Sequence, residues 1–288
     1  LLRKIFVKFA TMLQAKLEKD LISQPELWRL ALMIGHDSFD VAIYPPVARE
    51  EVVWRSFPLD PNAPSRLKAI EDIIYDNPLL LCDFRKIDCV INPESRLIVP
   101  SCASPEQYEM LFSAACPSSE SLELTATEIN DDTLMLEGFE PEITAFLKRT
   151  FFNVTIRGRL PLLISYFIHR AEGLRPKRAV TLITGNRLTL IALDGNRLLA
   201  ANEFQFNEIA DAAYYVMAAL NHIGFKTDGQ DFDLAVHGQS LTSSESLAAV
   251  LRNYVAEIRP VPFPSLRFRA TKTTLQAPFP LIILPICE

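Results

Sequence analysis

The chain has 288 residues, 49% of them apolar, and a formal net charge of −6; its sequence pI is ≈ 5.4 and its mean hydropathy +0.14. That is enough apolar material for two packed domains, and it excludes a disordered chain. The acidic balance excludes a protein that wraps nucleic acid, which needs a basic surface to displace phosphate counterions.

Five cysteines (Cys82, Cys89, Cys102, Cys116 and Cys287) and four histidines (His36, His169, His222 and His237) are scattered along the chain. They form no CxxC pair and no group with metal-ligand spacing. An odd, dispersed set of thiols suits a reducing compartment. No apolar run reaches the roughly 20 residues a bilayer span requires, and Lys4 and Lys8 interrupt the start of any signal peptide. A cytoplasmic protein with neither a membrane span nor a bound metal is expected.

Residues 1–20 predict an amphipathic helix. Leu2, Ile5, Phe6, Phe9, Met12, Leu13 and Leu17 share one side, with Arg3, Lys4, Lys8, Lys16 and Lys19 around them. It suits docking on its own domain or on a second copy, and its basic rim also suits an anionic membrane surface. The chain opens on Leu1 rather than Met, so the native start can lie upstream. Leu30, Leu32 and Ile34 then alternate, Gly35-His36-Asp37-Ser38 turns, and Phe39, Val41 and Ile43 alternate again. Val52–Phe57 is a third strand. Ser65 caps a helix carrying Leu67, Ile70, Ile73 and Ile74, and Asp76-Asn77-Pro78 stops it. Ile87–Ile91 is a fourth strand. A capping box at Ser104 and Gln107, with Pro105 at the first helical position, opens a helix to Ala115.

Thr133–Glu137 reads as a strand, Pro141–Lys148 as a short helix, Asn153–Ile156 as a strand and Leu160–His169 as a buried helix that leads to Gly173-Leu174-Arg175-Pro176. Strands at Ala179–Ile183, Leu188–Leu193 and Leu198–Phe204 follow, joined by Gly185-Asn186 and Asp194-Gly195-Asn196, where Gly and Asn tolerate positive φ. A helix presents Ile209, Ala213, Val216, Met217 and Leu220 on one stripe, Phe232–Val236 is a strand, and His237-Gly238-Gln239-Ser240 turns into a helix with a capping box at Thr242 and Glu245. Glu257–Val261 is a last strand. Pro278, Pro280 and Pro285 predict an irregular or edge-bound tail, and Arg267-Phe268-Arg269 a solvated edge strand.

The order β-β-β-α-β-α thus occurs twice. A shift of 149 (178 − 29) lays Arg29 on Arg178, Phe39 on Leu188 and Val41 on Leu190, and a shift of 145 (232 − 87) lays the fourth strands on each other. An internal duplication is expected. With the phrases LALMIGHDSFDVAI (Leu30–Ile43), LLISYFIHR (Leu162–Arg170) and the run from Ala179 to Gly238, this plan resembles the actin-like ATPase (ribonuclease H-like) fold shared by actin, heat-shock chaperone ATPases and sugar kinases. It looks closer still to an uncharacterised bacterial family with that fold, over about residues 27–265. The resemblance implies an N-terminal helix (1–26), a first subdomain (27–172) and a second (173–288), each with a mixed sheet.

It also implies where Mg·ATP chemistry would sit. Working members place an Asp at the end of the first strand of each half, in phrases like D-x-G-T and D-x-G-G-G, so that turn amides cradle phosphate while the carboxylates hold Mg²⁺ through water. Here Met33 takes the first Asp position ahead of Gly35, and Leu182 or Ile183 takes the second ahead of Gly185. An apolar side chain cannot ligate Mg²⁺. Were a nucleotide bound, Gly35, Asp37, Ser38, Thr184, Gly185, Asn186 and Gly238 would hold it, with Asp37 a substitute carboxylate; otherwise Asp37 is a turn residue. His36 and His237 end strands, where α/β ligand sites gather. Cys102 precedes a helix start but has no base beside it in sequence. No Walker A loop, G-x-S-x-G elbow or G-x-G-x-x-G fingerprint occurs. The expected function is a non-catalytic scaffold that contacts a protein partner or a second copy, through the 1–20 helix and edge strands, with no cofactor. The alternative is a divergent ATP-binding protein or ATPase using the interdomain cleft.

Overall fold

A computed structural model describes residues 16–47, 50–117, 121–170, 174–226, 232–238, 241–264, 269 and 271–287. The helix expected over 1–20 lies outside them except for 16–20, where Lys19–Leu21 forms a single 3-10 turn. Arg267-Phe268 and Gln239-Ser240 lie outside them too, as does the side chain of Thr242.

The first half runs β1 (Arg29–Ile34), β2 (Ser38–Tyr44), β3 (Val53–Pro58), α1 (Arg66–Asp76), β4 (Lys86–Ile91), β5 (Arg96–Pro100), α2 (Pro105–Ala115), β6 (Glu123–Asn130), β7 (Thr133–Phe139), α3 (Pro141–Thr150), β8 (Thr155–Gly158) and α4 (Arg159–His169). The second runs β9 (Lys177–Thr184), β10 (Arg187–Asp194), β11 (Arg197–Gln205), α5 (Ile209–His222), β12 (Asp233–Gly238), α6 (Leu241–Leu251), β13 (Ile258–Pro260), α7 (Lys272–Gln276) and α8 (Phe279–Ile283). The two main sheets share one strand order, β3-β2-β1-β4-β8 and β11-β10-β9-β12-β13. In each, the first three strands are antiparallel neighbours and the last two are added in parallel.

The central strands are apolar almost throughout because both of their faces are covered. On β1, Leu30, Leu32 and Ile34 enter a core against α1 and α3, while Ala31 and Met33 enter another that lies between the halves. On β9, Ala179 and Ile183 pack toward α5 and α6, while Val180 and Leu182 join the same interdomain core as Met33. The hairpins turn as their residues require, with Gly185 at φ 58° and Gly195 at φ 60°. Ser65 accepts a hydrogen bond from the Lys68 amide at the start of α1, and Ser104 with Gln107 forms the expected capping box at α2.

Two expectations are corrected. A third sheet, β5-β7-β6, is inserted between β4 and β8, and of its strands only β7 was legible. β6 reads ELTATEIN and is largely exposed, so it lacks the apolar alternation that marks a strand. The proline-rich tail is neither irregular nor at an edge: Phe279, Leu281, Ile282, Ile283 and Leu284 are buried in the interdomain core. Pro280 falls in the first turn of α8, where its missing N–H costs no hydrogen bond. Phe279 stacks on Phe167 of α4 at 5.9 Å and meets Tyr166 edge-on at 5.5 Å. The Tyr44 hydroxyl donates to the Leu281 carbonyl, which ties α8 back to the first half.

Candidate functional site: the interdomain cleft

β1 and β9 end in equivalent turns, and the space between those turns is where this topology gathers ligands. Glu203 of β11 reaches across to the first half beside it. One oxygen lies 2.6 Å from an Arg96 nitrogen and the other 3.6 Å from an Arg159 nitrogen, so a carboxylate of the second half is held between guanidiniums of the first. The Asn92 amide nitrogen approaches both oxygens at 3.3 and 3.4 Å. Arg159 also donates to the Thr189 hydroxyl at 2.9 Å. The side chains of Arg159 and Glu203 are each only 5% exposed. Burial pushes the Glu203 carboxyl up, but Arg159 and Arg96 outweigh it and hold the group below the ordinary carboxylate range.

A second carboxylate, Glu137 of β7, is fully buried and neither of its oxygens receives a hydrogen bond. It lies against Gly158, the N-cap of α4, where a Cβ would come within 1.7 Å of Glu137 Oε2. Gly158 is therefore glycine for space. Burial pushes the Glu137 carboxyl up to about 7, with Arg96 pulling the other way.

His36, in the turn after β1, is the predicted residue that reaches this cluster. Asn92 Nδ2 sits 3.0 Å from its Nε2 and Glu94 3.3 Å from its Nδ1. Burial, then the charge of Arg187 across the cleft, holds its pKa below the ordinary value. The neutral ring donates from Nδ1 to Glu94 and accepts at Nε2 from Asn92. Beside it opens a pocket of about 310 Å³ lined by His36, Arg66, Glu94, Ser95 and Glu140 among others.

The other candidate residues remain apart from this network. Gly35 closes its turn by donating to the Ser38 carbonyl, and its own carbonyl accepts from Arg66 at 2.8 Å. Asp37 is exposed, and its backbone carbonyl takes the Leu59 amide. Ser38 donates to Asp40 at 2.7 Å. Thr184, Gly185 and Asn186 form the β9–β10 hairpin, and Gly238 ends β12 opposite Ile183. His237 is turned toward the ring of Phe279 at 4.8 Å, and burial pushes its pKa down to about 4. Cys102 is exposed in the turn before α2.

The two positions where carboxylates would be expected are dry. Met33 is 4% exposed and Leu182 2%, both within the core shared with α4 and α8. Leu182, not Ile183, is the residue aimed between the halves. An acid does stand beside Met33: Asp40, directly across the β1–β2 ladder and 1% exposed. It is held by Ser38, and burial pushes its pKa up. Among the described residues no three His, Cys, Asp or Glu side chains group as a metal site, and none of their helices is long and apolar enough to cross a membrane. Chemically, Glu203 is an engaged counter-ion rather than an available base.

Sequence reasoning missed Arg96, Glu137, Arg159 and Glu203. A signal existed for two of them, a lone charge in an apolar run: Glu137 in TLMLEGF and Arg159 in RLPLLISYFIH.

Residues 18–258 match the family described as "Protein of unknown function (DUF3822)". The chain belongs to that family. No curated protein matches the sequence. Among solved structures, a Bacteroides thetaiotaomicron protein described as having an actin-like ATPase fold and unknown function superposes with a TM-score of 0.74 at 16% identity, covering 92% of this chain and 98% of that one. The PilM–PilN type IV pilus biogenesis complex matches with a TM-score of 0.56 at 13% identity, covering 90% of this chain and 98% of that one. At these identities the likeness establishes the fold: this is a two-domain, actin-like α/β protein.

Proposed function

We propose that this family member is a non-catalytic, cytoplasmic actin-like scaffold, built from duplicated halves (27–172 and 173–288), whose work is to bind a protein partner or a second copy. The observation that carries the reading is the burial of Met33 and Leu182 in one apolar core between the halves. Mg²⁺ needs hard oxygen ligands at those positions, and burying an ion there without them would cost many kcal/mol. The Arg96–Glu203–Arg159 bridge supports it further, since the chain's own carboxylate occupies the polar end of the cleft. One structural neighbour is itself part of a protein complex in pilus biogenesis, which is consistent with a fold kept for contacts.

The test is thermal unfolding of the purified chain with and without millimolar Mg·ATP, backed by calorimetric titration. A ligand at 100 times its Kd adds about 2.7 kcal/mol, which is a rise of several degrees for domains of this size. No shift and no titration heat are expected. A clear shift would instead support a divergent nucleotide-binding protein, and Asp40→Asn would be the variant to make next, because Asp40 is the acid beside Met33.

A further inference from the structure

A second feature lies at the opposite end of the sheet from the cleft. There a groove of about 900 Å³ runs over the N-terminal ends of β9 and β12 and along the end of α4. Its walls include Tyr166, Phe167, Leu174, Val180 and Val261, and its charged residues are Arg170, Arg178, Arg259 and Asp233. Arg259 is already paired with Glu257 at 2.8 Å, so Arg170 and Arg178 carry the positive charge of the lining.

Arg178 is the unusual member. It is 3% exposed, yet its Nε has no hydrogen-bond partner. Its terminal nitrogens reach only the carbonyls of Pro176 at 3.3 Å and Phe167 at 3.2 Å. The first half shows what such an arginine ordinarily takes. Arg29, the counterpart of Arg178 at a shift of 149 (178 − 29), lies 2.8 Å from Asp88 and stands 6.0 Å over the Tyr44 ring. The counterpart of Asp88 at the fourth-strand shift of 145 is Asp233. One oxygen of Asp233 accepts the Arg175 amide at 2.7 Å and the other faces Arg259 at 3.6 Å. Arg178 is thereby left buried with no carboxylate in ion-pair contact, and Asp233, its register partner on β12, acts on it only through its charge at longer range. A guanidinium in that state favours an incoming anion strongly, because a buried ion is costly until it is paired.

We infer that this groove is a docking site for an apolar segment of a partner protein that carries one carboxylate, with Arg178 receiving the acid and the aromatic and aliphatic walls receiving its neighbours. The inference deepens the partner-binding reading above and rests on it. The chain's own N-terminal segment is a poor occupant, since residues 1–15 contain Arg3, Lys4 and Lys8 and no acid, and like charges would meet at the rim. Strand addition at the β13 edge is disfavoured by Pro260 and Pro262, which offer no amide N–H. The open side of the groove suits a segment still attached to a larger protein.

To test this, a random 12-residue peptide display library is panned on the full chain, and the selected peptides are resynthesised with each Asp or Glu changed to Asn or Gln. Binding is read by fluorescence polarisation. Selected peptides are expected to pair apolar residues with at least one acid, and the amide versions to bind at least tenfold more weakly. Leu174→Glu, at a wall residue 40% exposed and so safe for folding, should weaken binding at least tenfold. Arg178→Gln should erase the preference for acid over amide. Neutral or basic winners, equal affinity for acid and amide forms, or indifference to both variants would overturn the proposal. So would binding of sodium dodecanoate with no peptide selected, which would make the occupant a free amphiphile. Peptide docking together with Mg·ATP binding would sink the scaffold reading alone; no peptide and no ATP would sink the groove alone.

Discussion

Replacing Glu203 by Gln removes a buried charge that joins the halves while keeping the side chain's size. In the native protein that carboxylate is 5% exposed, 2.6 Å from Arg96 and 3.6 Å from Arg159. The substitution leaves Arg159, itself 5% exposed, with the Thr189 hydroxyl as its remaining polar contact of note. Breaking one partner out of a buried pair typically costs 3–5 kcal/mol, because the remaining ion stays desolvated. Arg96 can turn toward water, since it is 18% exposed, so we expect the low end, about 3 kcal/mol. At about 2–4 °C per kcal/mol for domains of this size, the melting temperature should fall by roughly 6–12 °C. Urea titration at pH 7 reads the loss directly, and 0.5 M salt should not erase it, since buried pairs are screened little. In a double-mutant cycle, Arg96→Met should cost less in the Glu203→Gln background than in the native one, by about 1–3 kcal/mol. Because the native carboxyl titrates below its ordinary range, its contribution is present above the unfolded pKa of about 4.3 and lost as pH falls through the folded one. The variant should lack that acid-side loss. A destabilisation under about 1 kcal/mol, the range of an exposed pair, would refute the claim that this is a buried bridge stabilising the junction of the halves.

Glu137 titrates in the opposite sense. Its pKa rises from 4.5 to about 7 in the folded state, so stability is full below 4.5 and falls by about 3 kcal/mol as pH passes 7; Glu137→Gln should match the native protein at pH 5 and exceed it at pH 8 in urea midpoints. Gly158→Ala should cost about 2 kcal/mol or more, as the new methyl would lie 1.7 Å from a carboxylate with nowhere to go, and Glu137→Ala should recover part of the loss. For His237, whose pKa falls from 6.5 to about 4, stability is full above 6.5 and declines by about 3 kcal/mol as pH drops through 4; His237→Phe should flatten that limb of the pH–stability curve. Met33→Asp, which restores the expected carboxylate in name, should lower the melting temperature and leave Mg·ATP without effect in the thermal assay, because the acid is placed in an apolar core.

The fold was largely legible in one dimension. Alternation in Leu30–Ile34 and Leu188–Leu193, glycines where positive φ was needed at 185 and 195, and caps at Ser65 and Ser104 are local signals, and each corresponds to the element found. Local signals fail where the deciding partner is far along the chain. The apolar run ending in Pro285 has no periodicity to mark it as helix, and only the rings of Tyr166 and Phe167, more than a hundred residues earlier, make α8 a buried element. β6 is a strand because β7 pairs with it, not because its residues demand it.

The same division governs the site. Sequence alone determined that Met33 and either Leu182 or Ile183 stand where carboxylates would be expected, since residue identity needs no coordinates; the structure chose Leu182. Whether that cleft is open, hydrated or filled was decided by tertiary structure: Glu203 lies 107 residues from Arg96 in sequence and 2.6 Å from it in space. A lone Glu on an edge strand and a lone Arg at a helix start each read as surface charges. They become a buried bridge only when the two halves pack on α4 and α8 and exclude the water that would otherwise solvate them.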